Sequence, residues 1–109
     1  MVRLLLTKMV DSNSEDVQKS VRIFRVLSDE SRVRILWLLI EKGGHNVTDI
    51  ADVLDLSQSN VSHHLSLLEI LGFVSKRRDP EDGRKIYYWI DDDCIEDILR
   101  RTRDHVLSS

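Results

Sequence analysis

The sequence predicts a mainly α-helical domain that carries one two-stranded β-hairpin, in the order α-α-α-α-β-β-α. Three observations predict it. Four segments between residues 12 and 72 repeat apolar residues at helical spacing, each opened by a residue that can cap a helix. After Gly72 the period changes, and two short runs rich in β-branched and aromatic residues follow. Helical spacing then returns between Ile95 and Val106. With 109 residues, no repeat and no Gly/Ser/Pro-rich linker, residues 1–109 read as one domain. A core of that size gains from burial against a partner, so a dimer is expected.

Residues 1–12 read as a flexible arm. Only three consecutive apolar residues precede Thr7, too few for a secretion leader. The first helix starts after Ser12, with Glu15 at the capping-box position and Val17, Val21 and Phe24 on the inner face. A second begins near Ser28-Asp29, turns Val33, Leu36, Leu39 and Ile40 inward, and stops at Gly43-Gly44. Asn46 caps a third helix of about two turns, with acid in its first turn at Asp49 and with Ile50, Ala51 and Leu54 inside. A short turn at Asp55-Leu56 leads to Ser57, which caps the fourth helix, and there Val61, Leu65, Leu68 and Leu71 face inward until Gly72. Two helices joined so tightly form a helix-turn-helix. Residues 73–78 and 85–90 form the hairpin strands, and the turn formers of residues 79–84 make its charged tip. The last helix is capped within Asp91-Asp92-Asp93, and its basic residues lie towards its C-terminal end.

Sixteen Lys and Arg against nineteen Asp and Glu leave a net charge of −3, which excludes a uniformly basic coat for nucleic acid. Any such surface is local. Lys76, Arg77, Arg78, Arg84 and Lys85 fall within ten residues, at the hairpin. One cysteine, Cys94, excludes an intrachain disulfide, and no stretch nears the roughly 18 apolar residues of a membrane span, so a reducing, cytoplasmic setting is expected.

The fourth helix carries the chemistry. Ser57, Gln58, Ser59, Asn60, Ser62, His63 and His64 open it, polar and short, while Val61 and Leu65 anchor its inner side. Gln and Asn match adenine's major-groove edge, Ser reaches bases or phosphates, and a helix N-terminus attracts phosphate oxygens. Arg77, Arg78, Arg84 and Lys85 on the neighbouring hairpin can grip the phosphate backbone or an adjacent minor groove. The bland alternatives are a solvated helix face and a decorated soluble hairpin. Catalysis is not expected: there is no nucleophile elbow, Gly-rich phosphate loop or intrachain Cys/His cluster.

Three stretches, Leu27-Ser-Asp-Glu-Ser-Arg-Val-Arg-Ile-Leu36, Asp49-Ile-Ala-Asp-Val-Leu-Asp-Leu-Ser-Gln-Ser-Asn-Val-Ser-His-His-Leu65 and Gly83-Arg-Lys-Ile-Tyr-Tyr88, resemble in this order the ArsR/SmtB winged helix-turn-helix repressors. The resemblance runs from about Val17 to His105. It implies a homodimer, joined through the first and last helices, that binds double-stranded operator DNA and often releases it when an effector binds. It makes Ser57 to His64 the reading helix and Arg77 to Lys85 the wing. Asp55 departs from the Gly common at the turn, but Asp tolerates the left-handed conformation better than most residues.

Cys94 and His105 lie eleven residues apart in the last helix, on one face but roughly 16 Å apart along the axis, so they cannot share an ion within one helix. Two such helices packed antiparallel about Leu99 would set Cys94 against the partner subunit's His105, with Asp92 beside them. Thiolate, imidazole and carboxylate suit Zn²⁺ or another thiophilic divalent ion. The resemblance implies the same interfacial pattern on Asp92, Cys94, His105 and Ser108, although Ser is a poor zinc ligand and Cys94 stands where His is more usual. Water, Glu96, Asp104 or the terminal carboxylate would have to complete the site. On the other reading Asp92 only caps the helix, Cys94 is a small buried hydrophobe and His105 answers the helix dipole. The family's cysteine pair at the third helix is replaced by Asn46 and Thr48. His45 reads as a solvated loop residue, and His63-His64 as a poor metal pair because adjacent helical side chains diverge. Two alternatives stay open: a repressor without a metal effector, effector-free or responsive to Cys94 oxidation, and a winged-helix module that docks proteins and never reads DNA.

Overall fold

The structure, a computed structural model, describes residues 2–41 and 44–109. The chain divides into two compact units, Met1–Val33 and Arg34–Ser109.

The first unit holds α1 (Val2–Met9), α2 (Glu15–Leu27) and the start of α3 (Glu30–Glu41). The segment expected as an arm thus contains a helix: Leu4, Leu5 and Leu6 are strong helix formers, and the Thr7 hydroxyl donates to the Arg3 carbonyl. The cap of α2 is Ser14, not Ser12. Asp11 first closes a turn by accepting from the Asn13 and Ser14 N–H groups, and the Ser14 oxygen then accepts from Val17 N–H at 3.5 Å. Glu15 is therefore not a capping-box partner but an ion pair with Lys19. Val17 and Val21 are half-buried, whereas Phe24, expected inside, is exposed. Asp29 caps α3 through the Arg32 N–H, at 3.0 Å.

The second unit contains the core. Ile35, Leu36, Leu39 and Ile40 of α3 are buried, as are Ile50 and Ala51 of α4 (Val47–Leu54) and Val61, Leu65 and Leu68 of α5 (Gln58–Ile70). The helical stripes foreseen in the sequence differ from these at a few positions: Ile35 is buried where Val33 was expected, and Leu71, at the C-cap of α5, is 43 % exposed. Gly44 and Gly72 take positive φ, as expected of helix stops, whereas Gly43 lies outside the described residues.

The hairpin is β2 (Val74–Arg78) and β3 (Ile86–Ile90), paired antiparallel with Arg77 opposite Tyr87 and Ser75 opposite Trp89. A two-residue strand, β1 (His45–Asn46), adds to its other side and makes the order β1-β3-β2. His45 is therefore not a solvated loop residue; it pairs with Tyr88, and its Nε2 is buried without a hydrogen-bond partner among the described residues. Finally α6 (Asp93–Leu107) starts at Asp92, whose carboxylate accepts from Ile95 N–H at 2.9 Å, and it buries Ile95 and Leu99 while Val106 is exposed.

Candidate nucleic-acid interface

Local chemistry places the fourth helix of the sequence reading, α5, at a fixed angle to its predecessor. Asn46 caps α4 by accepting from Asp49 N–H at 2.8 Å, and Asp55 ends it in the left-handed conformation at φ 55° and ψ 49°. The Leu56 N–H then donates to the Ala51 carbonyl at 3.0 Å. Asp bears this conformation at lower cost than a β-branched residue, so the helix-turn-helix closes without the usual Gly. The Arg34 guanidinium fastens the turn from outside by donating to the Leu54 carbonyl at 2.6 Å. Ser57 caps α5 through Asn60 N–H at 3.0 Å. Its oxygen is thereby occupied, but its hydroxyl proton remains available.

Val61 and Leu65 are wholly buried, which turns Gln58, Ser59, Asn60, Ser62 and His63 outward. His64 faces partly inward and meets His63 edge-on at 5.9 Å between ring centroids.

The wing cations fall into different roles. Arg78 donates to the Gly83 carbonyl and Arg84 pairs with Asp82 at 3.2 Å, so both brace the tip on which they stand. Lys76 pairs with Glu69 of α5 at 3.2 Å and ties the end of that helix to β2. Arg77 and Lys85 are exposed and, among the described residues, carry no ion pair. The tip itself is organised by Asp79, whose carboxylate accepts from the Glu81 and Asp82 N–H groups at 2.8 and 3.3 Å. These bonds, with lesser help from Lys85 and the Tyr87 hydroxyl, hold its pKa below the ordinary carboxylate value.

A carboxyl whose folded-state pKa is depressed contributes order above its unfolded value and loses it as pH falls through the lowered one. The tip is therefore expected to keep its structure from neutrality down to about pH 4 and to loosen below that, as Asp79 protonates. Amide exchange at Glu81 and Asp82 followed against pH checks this. Asp79→Ala should show the loosened tip already at neutral pH.

Between α5 and the wing lies an open groove of about 590 Å³. Gln58 and Ser62 line one side and Arg84, Lys85, Tyr87 and Tyr88 another, with residues 46–49 from the start of α4 closing the third. The structure thus brings the reading-helix residues Gln58 and Ser62 together with Arg84 and Lys85. It leaves Arg77 beside Trp89 in a separate cleft of about 350 Å³. Thr48, Asp49 and Tyr87 line the groove without having been singled out as site residues. The capping pattern that located the start of α4 pointed to both Thr48 and Asp49.

The expected metal ligands are spread along α6. Asp92 spends one carboxylate oxygen on its capping bond, Cys94 is exposed rather than buried, and His105 is exposed near the other end of the helix. Among the described residues no three His, Cys, Asp or Glu side chains are grouped so as to hold an ion. Nor is any described helix long and apolar enough to cross a membrane.

Residues 29–76 match the family described as bacterial regulatory protein, arsR family. The chain is 33 % identical over 97 residues to a cadmium resistance transcriptional regulatory protein CadC homolog of Staphylococcus aureus, covering 89 % of this chain and 75 % of that one. It is 32 % identical over 95 residues to a transcriptional repressor SmtB homolog of Synechocystis, covering 87 % and 69 %. Among solved structures it is similar to the AntR antimony-specific transcriptional repressor, at a TM-score of 0.78 and 27 % identity over 92 % of this chain and 86 % of that one. These relatives are regulators of transcription rather than enzymes, and the match to residues 29–76 takes in α3, the helix-turn-helix of α4 and α5, and the start of β2. On this combined likeness of sequence and fold, the chain belongs to the ArsR/SmtB family of winged helix-turn-helix, DNA-binding transcriptional repressors.

Proposed function

We propose that residues 1–109 act as one winged helix-turn-helix domain in a homodimer joined through α2, the first helix expected from the sequence, and α6, the last, which grips operator DNA with two copies of the groove. The observation that carries this reading is the groove itself: polar side chains without burial on one wall, basic ones on the other, and a helix N-terminus on the third. In it Gln58 and Ser62 reach base edges. Ser57, Ser59, Asn60 and His63 flank them on the exposed face of α5, with His64 bracing His63; Lys85 and Arg84 meet phosphates at the groove, and Arg77 and Arg78, which line the separate cleft, meet phosphates beyond it. Two reading helices related by a two-fold axis would enter successive major grooves about one helical turn apart.

The effector in this proposal is a thiophilic divalent ion, zinc foremost. Relatives named for cadmium and arsenical resistance support a metal effector in general. The exposed thiol of Cys94 and imidazole of His105, on one face of α6, supply the right donors. One chain alone does not bring them together. Antiparallel α6 helices would place Cys94 opposite the partner subunit's His105, with the second carboxylate oxygen of Asp92 at hand. Bound there, the ion supplies charge and cross-linking at the subunit interface.

Fluorescence anisotropy of a duplex selected by the protein from a random library, followed during zinc titration, tests the proposal. The expected result is one ion per subunit and loss of DNA, with Cys94→Ala and His105→Ala each abolishing release while binding without metal is unchanged. Release by zinc that persists in both variants overturns the metal site.

A further inference from the structure

One wall of the groove carries a group that binding to a polyanion does not by itself explain. Asp49 is exposed at the start of α4 and lines the same cavity as Gln58, Ser62 and Lys85. Its backbone N–H is held by Asn46, but its carboxylate has no hydrogen bond or ion pair among the described residues. As an acid in the first turn it favours its own helix modestly. Facing DNA, a free carboxylate repels phosphates and lowers affinity for every duplex. The repulsion is offset only where a base presents an amine to it, and in the major groove an Asp carboxylate pairs with the N4 amine of cytosine.

Resting on the reading of the groove as the DNA site, we propose that Asp49 is a specificity-determining residue: it accepts from a cytosine amine in each half-site and penalises sequences that lack one. Discrimination then comes from an unfavourable contact with the wrong sequence as much as from a favourable one with the right sequence. Gln58 and Ser62 read neighbouring bases from the adjoining wall, and Lys85 holds the backbone across the groove.

Selection of duplexes from a random library by the full-length wild type, Asp49→Asn and Gln58→Ala proteins tests this, followed by affinities for the wild-type consensus and for random duplex. Asn at position 49 keeps the capping N–H, so circular dichroism should show an unchanged fold. Asp49→Asn is expected to bind random duplex more tightly, to lose preference for cytosine at one position per half-site, and to lower the consensus-to-random ratio by about tenfold. A merely helix-stabilising role would move stability and leave that ratio alone. If Asp49→Asn selects the same consensus at the same ratio while Gln58→Ala relaxes another position, the role of Asp49 is overturned and the groove stands. If both variants keep the wild-type consensus, the groove falls with it.

Discussion

Replacing Leu65 with alanine should lower the unfolding free energy by about 3 kcal/mol. Leu65 is fully buried on the inner side of α5, as are Val61 and Leu68 of the same helix. Truncation removes the transfer energy of three carbons and leaves a cavity that the surrounding helices fill only in part. A chain of this length has about 5 to 15 kcal/mol of stability in all, so one substitution takes a fifth or more of it. Urea denaturation should show a lower midpoint at an unchanged slope. Ile70→Ala, five residues further along the same helix but 81 % exposed, should stay within about 0.5 kcal/mol of wild type. Equal losses at the two positions would mean that α5 does not present the faces described.

The hairpin sets the second large effect. Exchanging Arg77 and Lys85 together for alanine should leave stability nearly unchanged, since both are exposed and neither is paired among the described residues. DNA affinity should fall steeply. In a dimer four phosphate contacts disappear, and at about 0.9 per contact the slope of log affinity against log salt shrinks by between 3 and 4. Near 0.1 M salt that corresponds to an affinity loss of about a thousandfold. Arg78→Ala should behave differently, because its guanidinium holds the Gly83 carbonyl of its own hairpin tip. The expected result there is a disordered tip with a smaller change in salt slope. An unaltered slope in the double variant would show that these cations never meet phosphate.

Most of the fold was legible because its signals are local. Asn46, Ser57, Asp92 and the αL residue Asp55 each act within about four residues, and a capping pattern carries that information in the sequence itself. The outward polar face of α5 was legible for the same reason, being fixed by Val61 and Leu65 at helical spacing. What escaped depends on which groups meet once the chain has folded, whether they are distant or near in sequence. Strand β1 exists because His45 and Asn46 meet Tyr88 and Tyr87, more than forty residues later, and two residues carry no period. The division of the wing cations depends on which acid or carbonyl lies nearest once the hairpin closes: Asp82 for Arg84, Gly83 for Arg78 and Glu69 for Lys76. Likewise nothing along the chain joins Asp49 and Tyr87 to the groove until α4, α5 and β3 come together. Ser12 failed as a cap because Asp11, its neighbour, closes the competing turn first.

Whether DNA lies in the groove between α5 and the wing is read out by chemical-shift mapping of isotope-labelled protein titrated with a selected duplex. The largest amide and side-chain shifts are expected at Gln58, Ser62, Lys85 and Tyr87, with buried residues such as Leu68 nearly unmoved. Shifts concentrated on the exposed end of α6 around Val106 and Leu107, with the groove residues silent, would contradict that placement of the DNA.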